Sequence, residues 1–543
     1  MSEQRSASVP DPLAGGHLMQ ILLDLVDLGP RRAGTSTERQ AAEYILRRFR
    51  EIGLQHAHLE EFPIRRWEAQ SWELTAETAS GQRFPIPCQP AWYSPITSPE
   101  GVRAGLCYAG DGTPADFTRC PVDGGIAVIE SKVILNFQPA YKLFQADQVA
   151  AQHGAQALIV LLDAADNLTP AFTEREEQGL LPIPVMLVGR DDALLLRHLL
   201  LQGDELQAFL KLEAYLEEHA TTQDVVGILP GSGDDFLIVG SHYDSTHSGA
   251  VDNAGSNAGL LALAEHFARQ PFDQRSKTMI FAAHPGHEIS VGARHFVATR
   301  QEILPRVAAY VSLDGFGSTG WLFEHDGGAA ETGTDEKRGI TISGNPLIFR
   351  IVAGAVRRYH LLPAAYVPAE VTIFNPDLEG RFYAAGVPVL MIIGKPVWYH
   401  TPHDTPDKCT PDQLERSARA HAEILEALLE ISTQRLREAD RSLSLADPGP
   451  LITPLPDVEH PALLFNVVPK PVPAGVPAIF HIVDFRDPAH LVVHLEWDFG
   501  DGERALGPLV PHAYSVPGRY TVTVEATNDA GRTSTASRAV WVV

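Results

Sequence analysis

Phe236-Leu237-Ile238-Val239-Gly240, followed at once by Ser241-His242-Tyr243-Asp244, sets an unbroken apolar run directly before a histidine and a carboxylate. A run this short, without polar alternation, reads as a strand buried on both faces of a sheet. Ten positions beyond His242 lies Asp252, in Val251-Asp252-Asn253-Ala254-Gly255, at the mouth of a helix expected over 255–268. The alternation continues with strands expected at 278–283, 308–313 and 387–394 and a long helix at 412–432. Strands spaced by helices predict an α/β fold built on a doubly wound, mostly parallel sheet.

In open sheets of this kind ligands gather at the carboxyl ends of the strands. The second expected strand is followed by His284-Pro285-Gly286-His287-Glu288, the third by Asp314, and the fourth by Tyr399-His400-Thr401-Pro402-His403-Asp404. Taken singly, a His or Asp at a strand end is a turn former or a helix cap. Four strand ends in one sheet that together offer two His and three carboxylates form instead the donor set that holds two divalent ions bridged by one carboxylate. HExxH is absent, because Val291 stands where its second His would be, so a single-zinc helix site is disfavoured.

The chain has 543 residues, enough for three or four folded units at roughly 100–200 residues each. Hydrophobic residues make up 44% and charged residues 20%, which excludes a mostly disordered or collagenous chain. Asp and Glu total 68 against 43 Lys and Arg, and the formal charge of −25 opposes a broad phosphate-binding surface, so no nucleic-acid partner is expected. Cys88, Cys107, Cys120 and Cys409 are too few for a disulfide framework; at most Cys107 and Cys120 pair. The apolar stretch at 18–28 is interrupted by Asp24 and Asp27, so no signal-peptide core is read, and no membrane span is expected. The default compartment is the cytoplasm.

Two helices open the chain, the second with Thr35 as N-cap, Glu38 three residues on and Gly53 as its stop. Between 68 and 212 the texture changes to short apolar runs at 125–129, 157–162 and 183–188 around a helical stretch at 140–153. This reads as a mostly β module inserted into an α/β unit spanning 1–67 and 213–440. Prolines crowd 441–463, which is expected to be a linker, and 464–543 alternates strictly, as in Tyr520-Thr521-Val522-Thr523-Val524, which predicts a small immunoglobulin-like β-sandwich.

Val239 through Ser245, Gly249 through Ser256, Tyr399-His400-Thr401 with Asp404-Thr405 and Asp407-Lys408, and the opening Leu28-Gly29-Pro30-Arg31 together resemble metallopeptidase family 28, the co-catalytic zinc aminopeptidases and carboxypeptidases. The resemblance covers about 1–67 and 213–435. It implies two zinc ions, a donor set that also suits other divalent metals. Asp252 would bridge them, His242 and Asp314 would complete one, and Glu288 and His400 the other. Asp244 would orient His242 and raise its basicity. His403 is set aside, since the motif places the ligand directly after Tyr399.

The family carries two adjacent glutamates, a general base and then a ligand, where this chain has His287-Glu288. With Glu288 as ligand, His287 takes the base position, and a neutral imidazole can accept a proton there. Anchoring instead on Gly292-Ala293-Arg294-His295-Phe296 sets Gly286 and His287 opposite the glutamate pair; a one-residue loss restores the first register and its carboxylate ligand. Asn375-Pro376-Asp377-Leu378-Glu379 departs from the family's Ser-Asp-His, so side-chain preference does not carry over.

The insert, through 125–129, 142–155 and Ile183-Pro184-Val185, resembles a protease-associated domain. The tail, through Trp497-Asp498-Phe499-Gly500-Asp501-Gly502 and Pro517-Gly518-Arg519-Tyr520, resembles a PKD-type domain, of a kind that mostly decorates surface or secreted proteins. The resemblance thus implies a two-zinc exopeptidase acting on peptide or protein substrates, an aminopeptidase rather than a carboxypeptidase because no arginine cluster is placed to hold a terminal carboxylate. The alternative is a catalytically degenerate homologue that has lost its base and binds peptides or proteins, with surface contacts through the PKD-type domain. Oligomeric state is not encoded in any of these motifs.

Overall fold

The computed structural model describes residues 10–134, 138–172, 174, 176–201, 205–323, 328–369, 378–394, 396–442, 462–486 and 490–543. At its centre the strand Phe236–His242 lies parallel to Thr278–His284 on one side and to Val307–Leu313 on the other. Val389–Gly394 continues the parallel run beyond Val307–Leu313. Antiparallel strands flank these four: the end of Leu206–Leu229 pairs with Thr278–His284, and Arg338–Ile342 pairs with Val389–Gly394. Ala364–Pro368 closes that side, parallel to Arg338–Ile342. The sheet is therefore mixed, with a parallel centre.

Both faces of the central strands are apolar because both are covered. Leu237 and Val239 point into a cluster that includes Leu22, Ala42, Leu260 and Leu425, from the helices Gly15–Val26, Ser36–Ile52, Gly255–Ala268 and Pro411–Glu430. Ile238 points the other way, toward Phe296 and Phe382 on Gly292–Ala298 and Leu378–Ala384. The helix Ser36–Ile52 starts as its sequence predicts: Thr35 accepts the Glu38 N–H, the Glu38 carboxylate takes the Gly34 N–H, and Gly53 ends it at φ 92°.

The insert does not begin at a loop. Gln55–Thr78 and Leu206–Leu229, of 24 residues each, pair antiparallel from Gln55↔Ile228 to Thr78↔Leu206, so the boundaries expected at 67 and 213 fall inside continuous strands. Three register shifts bend this ribbon without breaking its ladder. Beyond it Val102–Tyr108, Ile126–Ile134, Ala157–Asp163 and Val185–Val188 form a parallel set around a core of their own. Cys107 and Cys120 are disulfide-bonded. The single helix expected over 140–153 is two, Ala140–Leu143 and Ala146–Gln152, broken where Gln145 takes a φ of 52°. Phe144, at the break, packs with Val468, Ile479 and Leu509 of the C-terminal domain.

That domain is a two-sheet β-sandwich around Trp497, which is fully buried and donates its indole N–H to Gly507 O at 2.8 Å. Although 443–461, most of the expected linker, lies outside the described residues, as do Asn375, Pro376 and Asp377, the sandwich is firmly docked. Ala365 pairs with Val492, Arg357 Nε lies 2.8 Å from Asp529 Oδ2, and Leu491 and Val493 are buried in the core of the α/β unit. Ending the chain near 440 should therefore lower the stability of the remainder by roughly 3–6 kcal/mol, the burial of two aliphatic side chains. Urea unfolding of the truncated and full chains tests this, and equal stability would show the sandwich to be an independent appendage. Among the described residues no helix is long and apolar enough to cross a membrane.

Candidate metal centre

Four strand ends converge. His242, the last residue of its strand, is fully buried, with Nε2 3.4 Å from Asp252 Oδ1 and 3.8 Å from Asp314 Oδ1, and Nδ1 3.3 Å from Asp244 Oδ1. His400 Nε2 lies 3.0 Å from the other oxygen of Asp252, Oδ2. The two carboxylate oxygens of Asp252 therefore face two histidines from different strands. His400 Nδ1 is 2.7 Å from the carbonyl of Ala171, a residue of the insert.

Several polar side chains hold this arrangement. The Asp404 carboxylate accepts the N–H groups of Val251 at 2.8 Å and Asp252 at 3.0 Å. Burial and the nearby Asp252 charge push its pKa up to about 7. Asn253 donates to Leu313 O at 3.2 Å and accepts the Gly315 N–H at 3.2 Å, tying the Asp252 turn to the strand end that carries Asp314. Asn257 donates to the carbonyls of His242 and Asn253. The fully buried Arg31 guanidinium donates only to backbone carbonyls, those of Leu25, Gly29, Tyr243, Ser248 and Gly249. Asp404, Asn253 and Arg31 stand in the motifs quoted above without an assigned role. Asn257, one helical turn after Asn253, is a position that i to i+4 spacing on the 255–268 helix could have marked.

His287 and Glu288 sit on a short turn between two residues at positive φ, Gly286 at 62° and Ser290 at 58°. The His287 ring stacks on His242 at 4.1 Å between centroids, and its Nε2 is 3.2 Å from the Tyr399 hydroxyl. A ligand-type atom of His287 lies within 4.8 Å of those of His242 and Asp252. Glu288 is placed differently. Its N–H points to Asp244 Oδ2 at 3.4 Å, its carbonyl accepts the Glu174 N–H at 2.9 Å, and its buried Oε1 has no hydrogen-bond partner. Among the described residues no ion-pair contact joins its carboxylate to His242 or His400.

The charges call for cations. Asp244, Asp252, Asp314, Asp404 and Glu288 are each at most 5% exposed, and Arg31 spends its donors on carbonyls. His242 Nε2, Asp252 Oδ1 and His400 Nε2 are buried without hydrogen-bond partners. Buried charges left unpaired cost several kcal/mol each, and a divalent ion between these atoms removes that cost. Neighbouring charges also shift the ionisation of these groups. Burial disfavours charge on Asp252, yet His400 and His242 hold its carboxyl well below the usual range. Burial likewise disfavours a charged His242, yet Asp244, Asp252 and Asp314 draw a proton onto it. The residues present fit a divalent metal. A second acidic and histidine group, Glu60, Asp224 and His295, is satisfied within the protein: Asp224 accepts from His284 Nδ1 at 2.8 Å and His295 Nδ1 at 2.9 Å, and Arg300 pairs with Glu60.

Comparison with known proteins adds relatives to this geometry. Residues 224–425 match the model of Peptidase family M28, and residues 462–540 match the PKD domain. Aminopeptidase YwaD of Bacillus subtilis (strain 168) is 27% identical over 318 residues, 57% of this chain and 63% of its own. Carboxypeptidase Q of Bos taurus is 26% identical over 246 residues, 44% of this chain and 51% of its own. The chain thus spans about half to under two thirds of the length of these relatives. The crystal structure of BSAP, a zinc aminopeptidase from Bacillus subtilis, superposes with a TM-score of 0.58 at 22% identity, covering 77% of this chain and 95% of that one, and so shares its fold. The chain therefore joins a Peptidase family M28 match over 224–425, which contains every residue of the candidate centre from His242 to Asp404, to a C-terminal PKD domain match over 462–540.

Proposed function

We propose that the protein is a two-zinc exopeptidase that removes N-terminal residues from peptides or proteins. The observation that carries this is Asp252, whose Oδ1 faces His242 and whose Oδ2 faces His400 in a pocket of buried, unpartnered donor atoms. His242, Asp314, Asp252 and His400 would hold the ions, and the similarity to aminopeptidases supports zinc and an amino-terminal cut. When bound, such a pair of ions polarises a scissile carbonyl and acidifies water. The chain's own part is to hold Asp252 through Asp404 and to fix His242 through Asp244. The Cys107–Cys120 bond and the PKD domain support an oxidising, secreted or surface location over the cytoplasmic default.

His287 has two roles open to it, separated by one experiment. As base, its removal in His287→Ala should lower the rate about a hundredfold to ten-thousandfold with both ions retained. As ligand, which its closeness to His242 and Asp252 favours, the same variant should lose one ion and Glu288→Ala should keep both. His287→Glu should retain or raise activity in either case. Elemental analysis of protein purified without chelator, paired with a panel of aminoacyl amides, decides. Absence of metal would sink the hydrolase reading. Two bound ions with no substrate turned over would favour the degenerate, peptide-binding homologue.

A further inference from the structure

The insert touches the loops of the centre at the backbone of Ala171 and Glu174. Ala171 exchanges two hydrogen bonds with His400: its N–H donates to the His400 carbonyl at 3.1 Å, and its own carbonyl lies 2.7 Å from His400 Nδ1. A carbonyl oxygen can only accept, so Nδ1 must carry the proton. That leaves Nε2, on the opposite side of the ring and 3.0 Å from Asp252 Oδ2, as the atom free to ligate. Three residues further on, the Glu174 N–H donates to the carbonyl of Glu288 at 2.9 Å. One short piece of the insert thus touches two loops of the candidate centre at the backbone.

Two anchors hold that piece to the body of the insert. Phe172 is buried in the insert's core, edge-on to Tyr141 at 6.4 Å. The Glu174 carboxylate pairs with Lys142, on the short helix Ala140–Leu143, in a contact with only 15% of the Lys142 and 10% of the Glu174 side chain exposed. Burial works against a charged Lys142, but Glu174 beside it outweighs burial and keeps the ammonium above its usual pKa. Removing one partner of a pair so placed leaves the other charge buried and uncompensated.

We propose that Lys142 and Glu174 are positioning residues for the metal centre: their ion pair helps to fix Ala171 and Phe172 so that the Ala171 carbonyl sets the tautomer and ring orientation of His400. The proposal rests on the metal-centre reading above and deepens it, by making the insert a structural part of the site. Groups that orient a metal-bound imidazole from behind typically contribute about 10- to 100-fold to affinity.

The test is metal affinity rather than turnover. Metal-free full-length protein is titrated with zinc against a chromophoric chelator, and with cobalt followed by its visible spectrum. The wild type should take up two ions. Lys142→Met should bind one of them about 10- to 100-fold more weakly, with an altered cobalt spectrum and the other ion unaffected. The exchanged pair, Lys142→Glu with Glu174→Lys, should recover much of the loss, which a merely structural defect would not allow. Should Lys142→Met fail to fold, Glu174→Gln, which keeps shape and a hydrogen bond, is expected to show the same selective weakening. Unchanged affinity for both ions in a folded Lys142→Met or Glu174→Gln protein overturns the proposal while leaving the metal centre intact. A wild type that binds no ion overturns the metal centre itself, and the two failures are distinguishable.

Discussion

Asp252→Ala should empty the centre of both ions at once. Its two oxygens face His242 at 3.4 Å and His400 at 3.0 Å, so it is the one carboxylate that each ion would share. His242→Ala, by contrast, removes a donor from one side only and should mainly weaken one ion. With both ions gone, hydrolysis should fall by more than about a thousandfold, since electrophilic activation supplies several kcal/mol of transition-state stabilisation. Plasma emission analysis after gel filtration reads the stoichiometry, and the expected values are two ions for the wild type and none for Asp252→Ala. A control separates metal loss from misfolding. In metal-free protein His400 and His242 hold the Asp252 carboxyl below its usual range, so its removal should lower the melting temperature of the metal-free form, and circular dichroism well below that temperature shows whether the variant is folded when its metal is counted. Retention of one ion by Asp252→Ala would mean that the carboxylate is terminal rather than shared.

The sequence made the centre legible for a physical reason. Strands buried on both faces are unbroken apolar runs, and each ends where the chain leaves the sheet, so His242, Asp314 and His400 stand out as metal-ligand residue types shortly after them. Asp252 stood out by its position at a helix mouth. What stayed hidden depends on contacts between elements far apart in the chain. That the His287 ring stacks on His242 depends on the positive-φ turn at Gly286 and Ser290, which residue spacing alone cannot orient. The ladder of Gln55–Thr78 and Leu206–Leu229 runs through both expected insert boundaries because apolar alternation continues on both sides of each. The docking of the PKD domain was equally hidden, since nothing in a strand's apolar residues marks which body they pack against, and Leu491 and Val493 bury against the α/β unit. The role of the Ala171 carbonyl belongs to a backbone atom, which no side-chain motif records.

Arg31 gives the largest stability effect expected from one side chain. In the sequence it is only the end of Leu28-Gly29-Pro30-Arg31, yet the structure buries it to 1% exposure with its three guanidinium nitrogens donating to five carbonyls at 3.0–3.1 Å. Those carbonyls come from the end of the first helix and from the loop 243–249 between His242 and Asp252, so one cation fastens the loop that carries Asp244. Burial pushes its pKa down to about 10, with Asp244, Asp404 and Asp252 pulling the other way, and it therefore stays charged at neutral pH. Arg31→Met removes all five bonds, and of these carbonyls Leu25 and Gly249 retain backbone donors in the N–H groups of Leu28 and Ala254. At about 1 kcal/mol net for each bond the loss is about 5 kcal/mol, as large as the whole stability of many domains. Arg31→Lys keeps the charge but has three donors on a single nitrogen instead of a planar fork, so it should recover less than half of the loss. Urea unfolding of the metal-free proteins measures both. If Arg31→Lys matched the wild type, charge beneath Asp244 and Asp404 would be the whole of the residue's contribution, and the carbonyl clamp would be incidental.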